Sequence, residues 1–227
     1  MNLGTAKITE IKANALLALD KFLTKRLNSN DEKSIKIVQT ISYWILDYVK
    51  FLTYETNNNM KFKRYKRGDV IKVNFGHRIG REHGGLHYAI VLDVKNPLQS
   101  NLLTVVPLTS VKEYTNLEKL GKDRIFIGNE IYKEIINKTN RLPAGSHEKT
   151  AVSKELARMK TGSIVLIGQI TTISKYRIYD PLSSKNALHG IKVSDNTLTK
   201  IDEKIKILFT NSIWQKHVND LSAWYYD

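Results

Sequence analysis

One short stretch of the chain gathers ionisable side chains immediately before an apolar segment. Ile79–Asp93 reads IGREHGGLHYAIVLD, and in it Arg81, Glu82, His83 and His87 surround a Gly-Gly step. Histidine titrates near neutral pH and can accept or donate a proton. Arginine can offset negative charge on phosphate oxygens. The pattern therefore favours a loop that carries proton-transfer groups, although a charged surface turn has the same composition.

The composition indicates a globular chain with a basic surface. Of its 227 residues 41% are hydrophobic and none is cysteine, so a core is expected but no disulfide and no zinc–thiolate site. The formal net charge of +14 favours polyanionic partners. Residues 1–60 carry 8 basic and 6 acidic residues, whereas the remainder carries 28 and 16. We therefore expect nucleic-acid binding downstream of residue 60, with a general lysine bias as the alternative.

No targeting or membrane segment is predicted. The first thirty residues carry acids and bases throughout, which argues against a signal peptide. No uncharged apolar run approaches the roughly 20 residues that a membrane helix needs. We expect a cytoplasmic protein that does not associate with membranes.

Two amphipathic helices are predicted at the start of the chain. Apolar residues recur at helical spacing from Thr5 to Leu27 and again from Ile35 to Leu52. The turn NSND, Asn28–Asp31, separates them and supplies a cap for the second helix. The pattern predicts an antiparallel hairpin with its linker over residues 1–60. Because the hairpin is too small to bury both apolar stripes, it should dock on the main body or on a second copy.

A basic stretch, KFKRYKRGD from Lys61 to Asp69, follows the linker. Phe62 and Tyr65 lie between its lysines and arginines. This alternation suits single-stranded nucleic acid, because basic groups meet phosphates and aromatic rings stack on bases. A solvated approach to a strand would have a similar composition.

The apolar pattern then changes to that of strands. DVIKVNF alternates, YAIVLDV and LLTVVPLT are typical of buried strands, and RIFIG, SIVLIGQI and HGIKV are shorter candidates. The long polar region between Thr109 and Gly162 contains RLPAGSHEKT, which is the predicted mobile loop.

Helical spacing returns after Asp195. A last short helix or turn carries three large apolar residues: Trp214, Leu221 and Trp224. For residues 61–227 we predict a small barrel-like sheet followed by C-terminal helices, with residues 110–160 as a long insertion.

Three segments in this order resemble the signatures of the PemK/MazF-like toxins, which are endoribonucleases of bacterial type II toxin–antitoxin systems. They are RGDVIKVNFGHRIGREHGGLHYAIVLD, TVVPLTS and GQITTISKYRI, within Tyr65–Ser110 and Gly162–Ile178. The helix after Asp195 resembles the C-terminal helix of the family. Each segment alone is short, but their order makes the resemblance specific.

The resemblance implies an α+β fold. Its main part is an SH3-like small β-barrel of the PemK/MazF/CcdB kind with a C-terminal helix, here preceded by the N-terminal antiparallel helical hairpin. The resemblance also implies a homodimer that binds single-stranded RNA in a groove, and a cognate antitoxin protein that competes for that groove. Cleavage in this family requires no metal and no cofactor.

RNA cleavage without a metal uses the substrate's own 2′-hydroxyl as the nucleophile. The protein must accept the hydroxyl proton, offset charge on the phosphoryl oxygens and protonate the leaving 5′-oxygen. Thr109 matches a family threonine and by resemblance would position the scissile phosphate. Family members commonly carry an arginine just after the Gly-Gly step, but His87 occupies that position here.

Three interpretations of His87 remain open. In the first, His87 is the general acid or base, and Arg81 supplies the positive charge from the same loop. In the second, the loss of arginine abolishes catalysis and leaves an RNA-binding module. In the third, His87 packs at the strand start and another residue acts. The first is our working hypothesis, because Thr109, Gln169 and the loop glycines are retained.

The remaining RNA-binding candidates lie in the same matching segments: Arg78, Glu82, His83, Gly84, Gly85, Gln169, Lys175 and Arg177. Each also has a structural interpretation. The glycines can permit a turn, Glu82 can form an ion pair, and His83 can be a solvated loop residue. Gln169 can hold loop backbone, whereas Lys175 and Arg177 extend a basic edge.

The sequence thus predicts a toxin that is a metal-independent, sequence-selective endoribonuclease for single-stranded RNA. One alternative is a catalytically impaired RNA-binding protein on the same barrel. Another is a protein-targeting toxin of the gyrase-poison type, since CcdB-like proteins share the barrel.

Overall fold

The computed structural model describes residues 3–57, 62–159 and 162–210. The chain divides into two compact units, residues 1–57 and residues 58–227. No helix within the described ranges is long and apolar enough to cross a membrane. The predicted terminal element with Trp214, Leu221 and Trp224 lies outside the described residues.

The first unit is the predicted helical hairpin. Helix α1 spans Thr5–Asn28 and α2 spans Glu32–Asn57. Between them, the Asp31 carboxylate accepts hydrogen bonds from the Ser34 backbone N–H at 2.8 Å and from the Ser29 hydroxyl at 2.7 Å. The first of these bonds satisfies a free N–H at the start of α2. Hydrogen bonding by the Ser34 side chain, the Ser29 hydroxyl and the Ser34 N–H lowers the pKa of Asp31 to about 2. The turn therefore lies at the NSND residues, as predicted.

In the part that the structure describes, the second unit is built on an antiparallel sheet of seven strands. Their bounds are β1 Val70–Asn74, β2 Leu86–Val91, β3 Leu102–Ser110, β4 Arg124–Gly128, β5 Ser163–Leu166, β6 Thr171–Ser174 and β7 Ile178–Asp180. The spatial order is β4-β5-β3-β2-β1-β7, and β6 also pairs with β3.

The sheet bends towards a barrel but does not close within the described residues. Strand β3 is long enough to pair with β6 through residues 102–105 and with β5 through residues 108–110. The path through the sheet ends at β4 and β7, which do not pair with each other. The predicted α+β fold, with its barrel-like antiparallel sheet, N-terminal helical hairpin and the helix Asp195–Phe209 near the C-terminus, is confirmed, and the described sheet is open.

Among the described residues three helices accompany the sheet: α3 Glu130–Arg141, α4 His147–Arg158 and α5 Asp195–Phe209. Helix α5 was predicted, whereas α3 and α4 lie in the long polar region, for which no helix was predicted. The predicted mobile loop RLPAGSHEKT overlaps the last residue of α3 and the start of α4. Only Ile131, Ile135 and Val152 contribute fully buried apolar side chains from these two helices. That number is too small to produce a visible apolar stripe. HGIKV is also not a regular strand, since it contributes only an isolated bridge between Asp69 and Lys192.

Strand alternation gives the sheet two faces with separate cores. The first core lies against α3, α4 and α5 and includes the strand residues Val70, Ile90, Val106, Leu108 and Val165. We call this side the helical face. The second core fills the opposite side, here called the concave face, and includes Ile71, Val73, Ala89, Val91, Leu103 and Val105. Because His87 and Thr109 are two residues from Ala89 and Pro107, they belong by alternation to the side of the second core.

The basic stretch before β1 is used for packing. Tyr65 is 3% exposed, and its hydroxyl donates to the Pro181 carbonyl at 2.9 Å. The Phe62 ring meets the Tyr176 ring edge to face at 4.9 Å. Arg67 donates to the Leu92 carbonyl and pairs with Asp202. Tyr65 is therefore not available to stack on a base, which corrects that part of the nucleic-acid interpretation.

Candidate functional site

The loop between β1 and β2, residues 75–85, is closed by backbone hydrogen bonds. Phe75 donates to the Gly85 carbonyl at 2.9 Å, and Gly85 donates to the Gly76 carbonyl at 2.7 Å. A Cβ added to Gly84 would lie 2.7 Å from the Cβ of Arg78, and Gly85 has a φ of +85°. Both positions therefore require glycine, one for close approach and one for its backbone angle. This geometry is the structural role that the Gly-Gly step predicts.

Glu82 organises the tip of the same loop. Its carboxylate accepts a hydrogen bond from the Ile79 N–H at 3.0 Å, and its own N–H donates to the Ile79 carbonyl at 3.3 Å. Arg78, directly before this turn, and Arg81, within it, are exposed. The loop thus holds its backbone rigidly while it presents two guanidinium groups to solvent.

Two histidines meet where the loop enters β2. The ring centroids of His83 and His87 are 4.2 Å apart, and His83 also meets Phe75 edge to face at 5.2 Å. The Nε2 atom of His83 is buried and has no hydrogen-bond partner in the part of the chain that the structure describes. The interpretation of His83 as a solvated loop histidine is therefore wrong, because neighbouring rings cover it.

Burial makes both imidazoles weak bases. It lowers the pKa of His83 to about 4, with further contributions from His87 and Arg78. It also lowers the pKa of His87, assisted by the positive charges of Lys112 and Arg78 and opposed by a hydrogen bond to the Gly84 backbone. Both rings are consequently neutral at pH 7, the state in which histidine accepts a proton.

The cations that act on His87 differ from the one predicted. Arg78 and Lys112 both lower its pKa by electrostatic repulsion, whereas the exposed Arg81 contributes its backbone carbonyl to a hydrogen bond with Gln169. Sequence reasoning missed Lys112. A positional signal existed, since Lys112 follows Thr109 by only three residues at the end of β3.

Gln169 holds the loop between β1 and β2 through two hydrogen bonds to its backbone. Its Oε1 accepts from the His83 N–H at 3.2 Å, and its Nε2 donates to the Arg81 carbonyl at 3.4 Å. It ends a 3-10 turn, Ile167–Gln169, whose first two N–H groups donate to the Asp123 carbonyl. Both ends of the glutamine amide are thus engaged with the loop backbone, as the structural interpretation of Gln169 expects.

Thr109 and His87 lie at the same end of neighbouring strands. Ala89 pairs with Pro107 in the β2–β3 ladder, and His87 and Thr109 are each two residues beyond that pair in the same direction. Both side chains are partly exposed. The register therefore brings the threonine hydroxyl and the imidazole to one edge of the concave face.

A groove of about 590 Å³ continues from this edge along β6. Its ionisable and amide side chains come from Glu82, His83, Gln169 and Arg177, and its remaining lining is Phe75, Pro107, Gly168, Ile170, Thr171, Thr172, Ile173 and Ser174. The groove combines hydroxyl groups, an arginine and a partly exposed aromatic ring, which are groups that bind phosphate and nucleobases.

Lys175 lies apart from this groove. Its side chain is 1% exposed, and its ammonium group donates to the Pro97 carbonyl at 3.2 Å. The ammonium also lies 5.6 Å from the centre of the Phe62 ring. Burial lowers its pKa. Lys175 therefore stabilises the fold and does not extend the basic edge that the sequence predicts.

Comparison with known proteins identifies the matching part of the chain. The family model of the PemK-like, MazF-like toxin of type II toxin–antitoxin systems matches residues 66–209. Among solved structures, the chain is similar to the crystal structure of MazF (Form-I) from Deinococcus radiodurans, with 18% identity, a TM-score of 0.38 and coverage of 66% of this chain and 99% of that chain. No curated protein matches the sequence significantly. The family match contains both histidines, Thr109 and Gln169 but none of the helical hairpin.

Proposed function

Because this chain belongs to the PemK-like, MazF-like toxin family of type II toxin–antitoxin systems, we propose that it is an endoribonuclease that cleaves single-stranded RNA without a metal. The observation that carries the proposal is the contact of His83 with His87 beside Thr109, with ring centroids 4.2 Å apart. Burial keeps both rings neutral at pH 7, and Arg78 and Lys112 act electrostatically on His87. The proposal includes a homodimer, a cytoplasmic location and a cognate antitoxin protein as partner.

In this mechanism, neutral His87 is the general base. It takes the proton from the 2′-hydroxyl, whose oxygen attacks the adjacent phosphorus. The bond from phosphorus to the 5′-oxygen breaks, and that oxygen takes a proton from the new imidazolium or from water. The products are a 2′,3′-cyclic phosphate and a free 5′-hydroxyl.

Charge on the phosphate is offset by cations that already act on His87. Arg78 and Lys112 are assigned this role because both influence His87 electrostatically. Arg81, whose carbonyl is held by Gln169, supplies a further guanidinium for the same strand of RNA. Thr109 donates its hydroxyl hydrogen to a non-bridging phosphate oxygen and so orients the scissile bond.

Selectivity for an RNA sequence is assigned to the groove along β6. Arg177 contacts a neighbouring phosphate, and the Thr172 and Ser174 hydroxyls contact the edges of a base. Phe75 offers a ring face or edge to that base beside His83.

The test is cleavage of a long single-stranded RNA in EDTA by the wild type, His87→Ala and His147→Ala. His147 is an exposed histidine at the start of α4 and serves as the matched control. Wild type and control should release fragments with 2′,3′-cyclic phosphate ends. His87→Ala should cleave about 10²–10⁴-fold more slowly, the usual contribution of a general base.

Other outcomes separate the alternatives. Equal cleavage by all three proteins would contradict the role of His87 but keep the nuclease. If folded wild type binds RNA in a salt-dependent way and cleaves none of several RNAs, the protein is an RNA-binding module. Inhibition of DNA gyrase without RNA binding would instead support a gyrase poison.

A further inference from the structure

Helix α1 of the first unit is exposed along its length. None of its 24 residues is buried, and only Leu19 and Leu23 are partly shielded. The family match begins at residue 66, so it does not account for this helix. Most helical stability in proteins comes from packing of an apolar face. Because the contact with α2 buries no residue of α1, the helix requires a further partner surface.

Five exposed apolar residues of α1, here called the α1 stripe, have the spacing of a coiled-coil seam. They are Ile8, Ile11, Ala15, Ala18 and Phe22. At 100° per residue they lie within an arc of roughly 80°. Ile8, Ile11 and Phe22 are 54%, 48% and 43% exposed. The alanines at its centre let a second helix approach closely, which indicates that the stripe fits a helix.

The α1 stripe is bordered by positive charge. At helical spacing Lys7 and Lys25 lie along one side, and Lys12 and Arg26 lie along the other. The Arg26 guanidinium is 5.5 Å from the centre of the Phe22 ring, which brings it to the stripe itself. Of the two acids of α1, Asp20 lies on the far side by the same periodicity, whereas Glu10 lies beyond Lys7 and accepts a hydrogen bond from the Lys7 ammonium at 2.9 Å. The border on that side therefore depends on Lys25.

We propose that the α1 stripe binds an acidic amphipathic helix of a partner protein. Such a helix covers the apolar residues and places its carboxylates opposite both basic borders. A second copy of α1 fits less well, because two basic borders would face each other in either direction. RNA does not bury an apolar stripe, and the two central alanines offer little apolar surface to a membrane.

The experiment uses the full-length protein and two synthetic helices of about three heptads. Both carry leucine and isoleucine along one face; one has glutamate beside that face and the other has lysine. The acidic helix should bind at least about tenfold more tightly than the basic one, and its affinity should fall with added salt. Fluorescence anisotropy of the labelled helices measures both effects.

Matched variants locate the binding surface. Ala15→Glu places a charge in the middle of the α1 stripe, whereas Ala13→Glu places it on the opposite side of the same helix. Both alanines are exposed and glutamate is a good helix former, so both variants should fold. Ala15→Glu should lose binding of the acidic helix, and Ala13→Glu should keep it.

The proposal would be overturned by no binding of the acidic helix, by equal binding of both helices, by equal effects of the two variants, or by self-association of the free protein that Ala15→Glu abolishes. The last result would assign the stripe to a second copy. Binding to vesicles rich in phosphatidylserine that Ala15→Glu removes would likewise overturn it and assign the stripe to a membrane surface.

Discussion

His87 and Tyr88 are neighbours on β2 but face opposite sides of the sheet. Their surroundings differ in whether the buried polar groups have hydrogen-bond partners. The Tyr88 hydroxyl donates to Glu155 of α4, and the Lys72 ammonium donates to both oxygens of that carboxylate, at 2.9 and 3.2 Å. Next to His87, by contrast, the buried Nε2 atom of His83 has no hydrogen-bond partner among the described residues.

The difference separates polar groups that hold the fold from polar groups that are available to a substrate. A buried ion pair with further hydrogen bonds fixes one arrangement, here α4 against β1 and β2. A buried imidazole without a partner is costly unless something binds to it. The unpaired imidazole of His83 thus lowers local stability on the concave face, where the proposed chemistry occurs. The paired groups on the helical face hold α4 against the sheet.

The largest expected effect comes from removing the buried ion pair between Lys72 and Glu155 on the helical face. Glu155→Ala removes the counter-charge of Lys72, whose side chain is only 11% exposed. An unpaired buried ammonium should lower the free energy of unfolding by about 3–5 kcal/mol, measured by urea denaturation. Glu134→Ala, an exposed glutamate of α3, is the control and should change it by less than about 0.5 kcal/mol. A loss below about 1 kcal/mol in Glu155→Ala would mean that this cluster does not hold α4 in place.

The second effect is a pH dependence of the free energy of unfolding, which originates from His83 on the concave face. Burial lowers the pKa of His83 from 6.5 to about 4. Between these values the unfolded chain binds a proton that the folded chain does not, so the free energy of unfolding rises with pH in this window. Lowering the pH from about 7 to about 5 should therefore cost about 2 kcal/mol through His83.

This effect is isolated by comparison with His83→Gln, whose ring-free side chain does not titrate. The variant should lose less stability than wild type over the same pH change, measured by urea denaturation at each pH. His87, whose pKa is also lowered, contributes in the same direction in both proteins. Parallel pH curves for the two proteins would show that His83 is not buried in its neutral form.

The smallest effect concerns the hydrogen bonds by which Gln169 holds the loop between β1 and β2. Gln169→Ala removes the hydrogen bonds to the His83 N–H and the Arg81 carbonyl. We expect kcat/KM for RNA cleavage to fall about tenfold, with little change in stability, because the loop is less well positioned. Gln169→Glu keeps the acceptor for the His83 N–H and should retain an intermediate activity. Equal activity of all three proteins would remove Gln169 from the site.

Elements with a strong local pattern were predictable. The hairpin and α5 have apolar residues at helical spacing, and β1, β2 and β3 alternate or form short apolar runs. Helices α3 and α4 were missed because packing on the first core, through a few residues such as Ile135 and Val152, stabilises otherwise polar segments. Ser146 caps α4 through the Lys149 N–H, but this local signal was weaker than the loop-forming composition around it.

The sequence by itself determined which groups are available: a histidine in place of the family arginine, a glycine step, a threonine at the end of β3 and an excess of basic residues. It did not determine their environments. Only the tertiary structure buried Tyr65 and Lys175, packed the His83 ring against the His87 ring and brought Lys112 close enough to act on His87. The physical reason is that a pKa and a contact depend on burial and on charges from distant parts of the chain, whereas residue type and spacing record only the local chain.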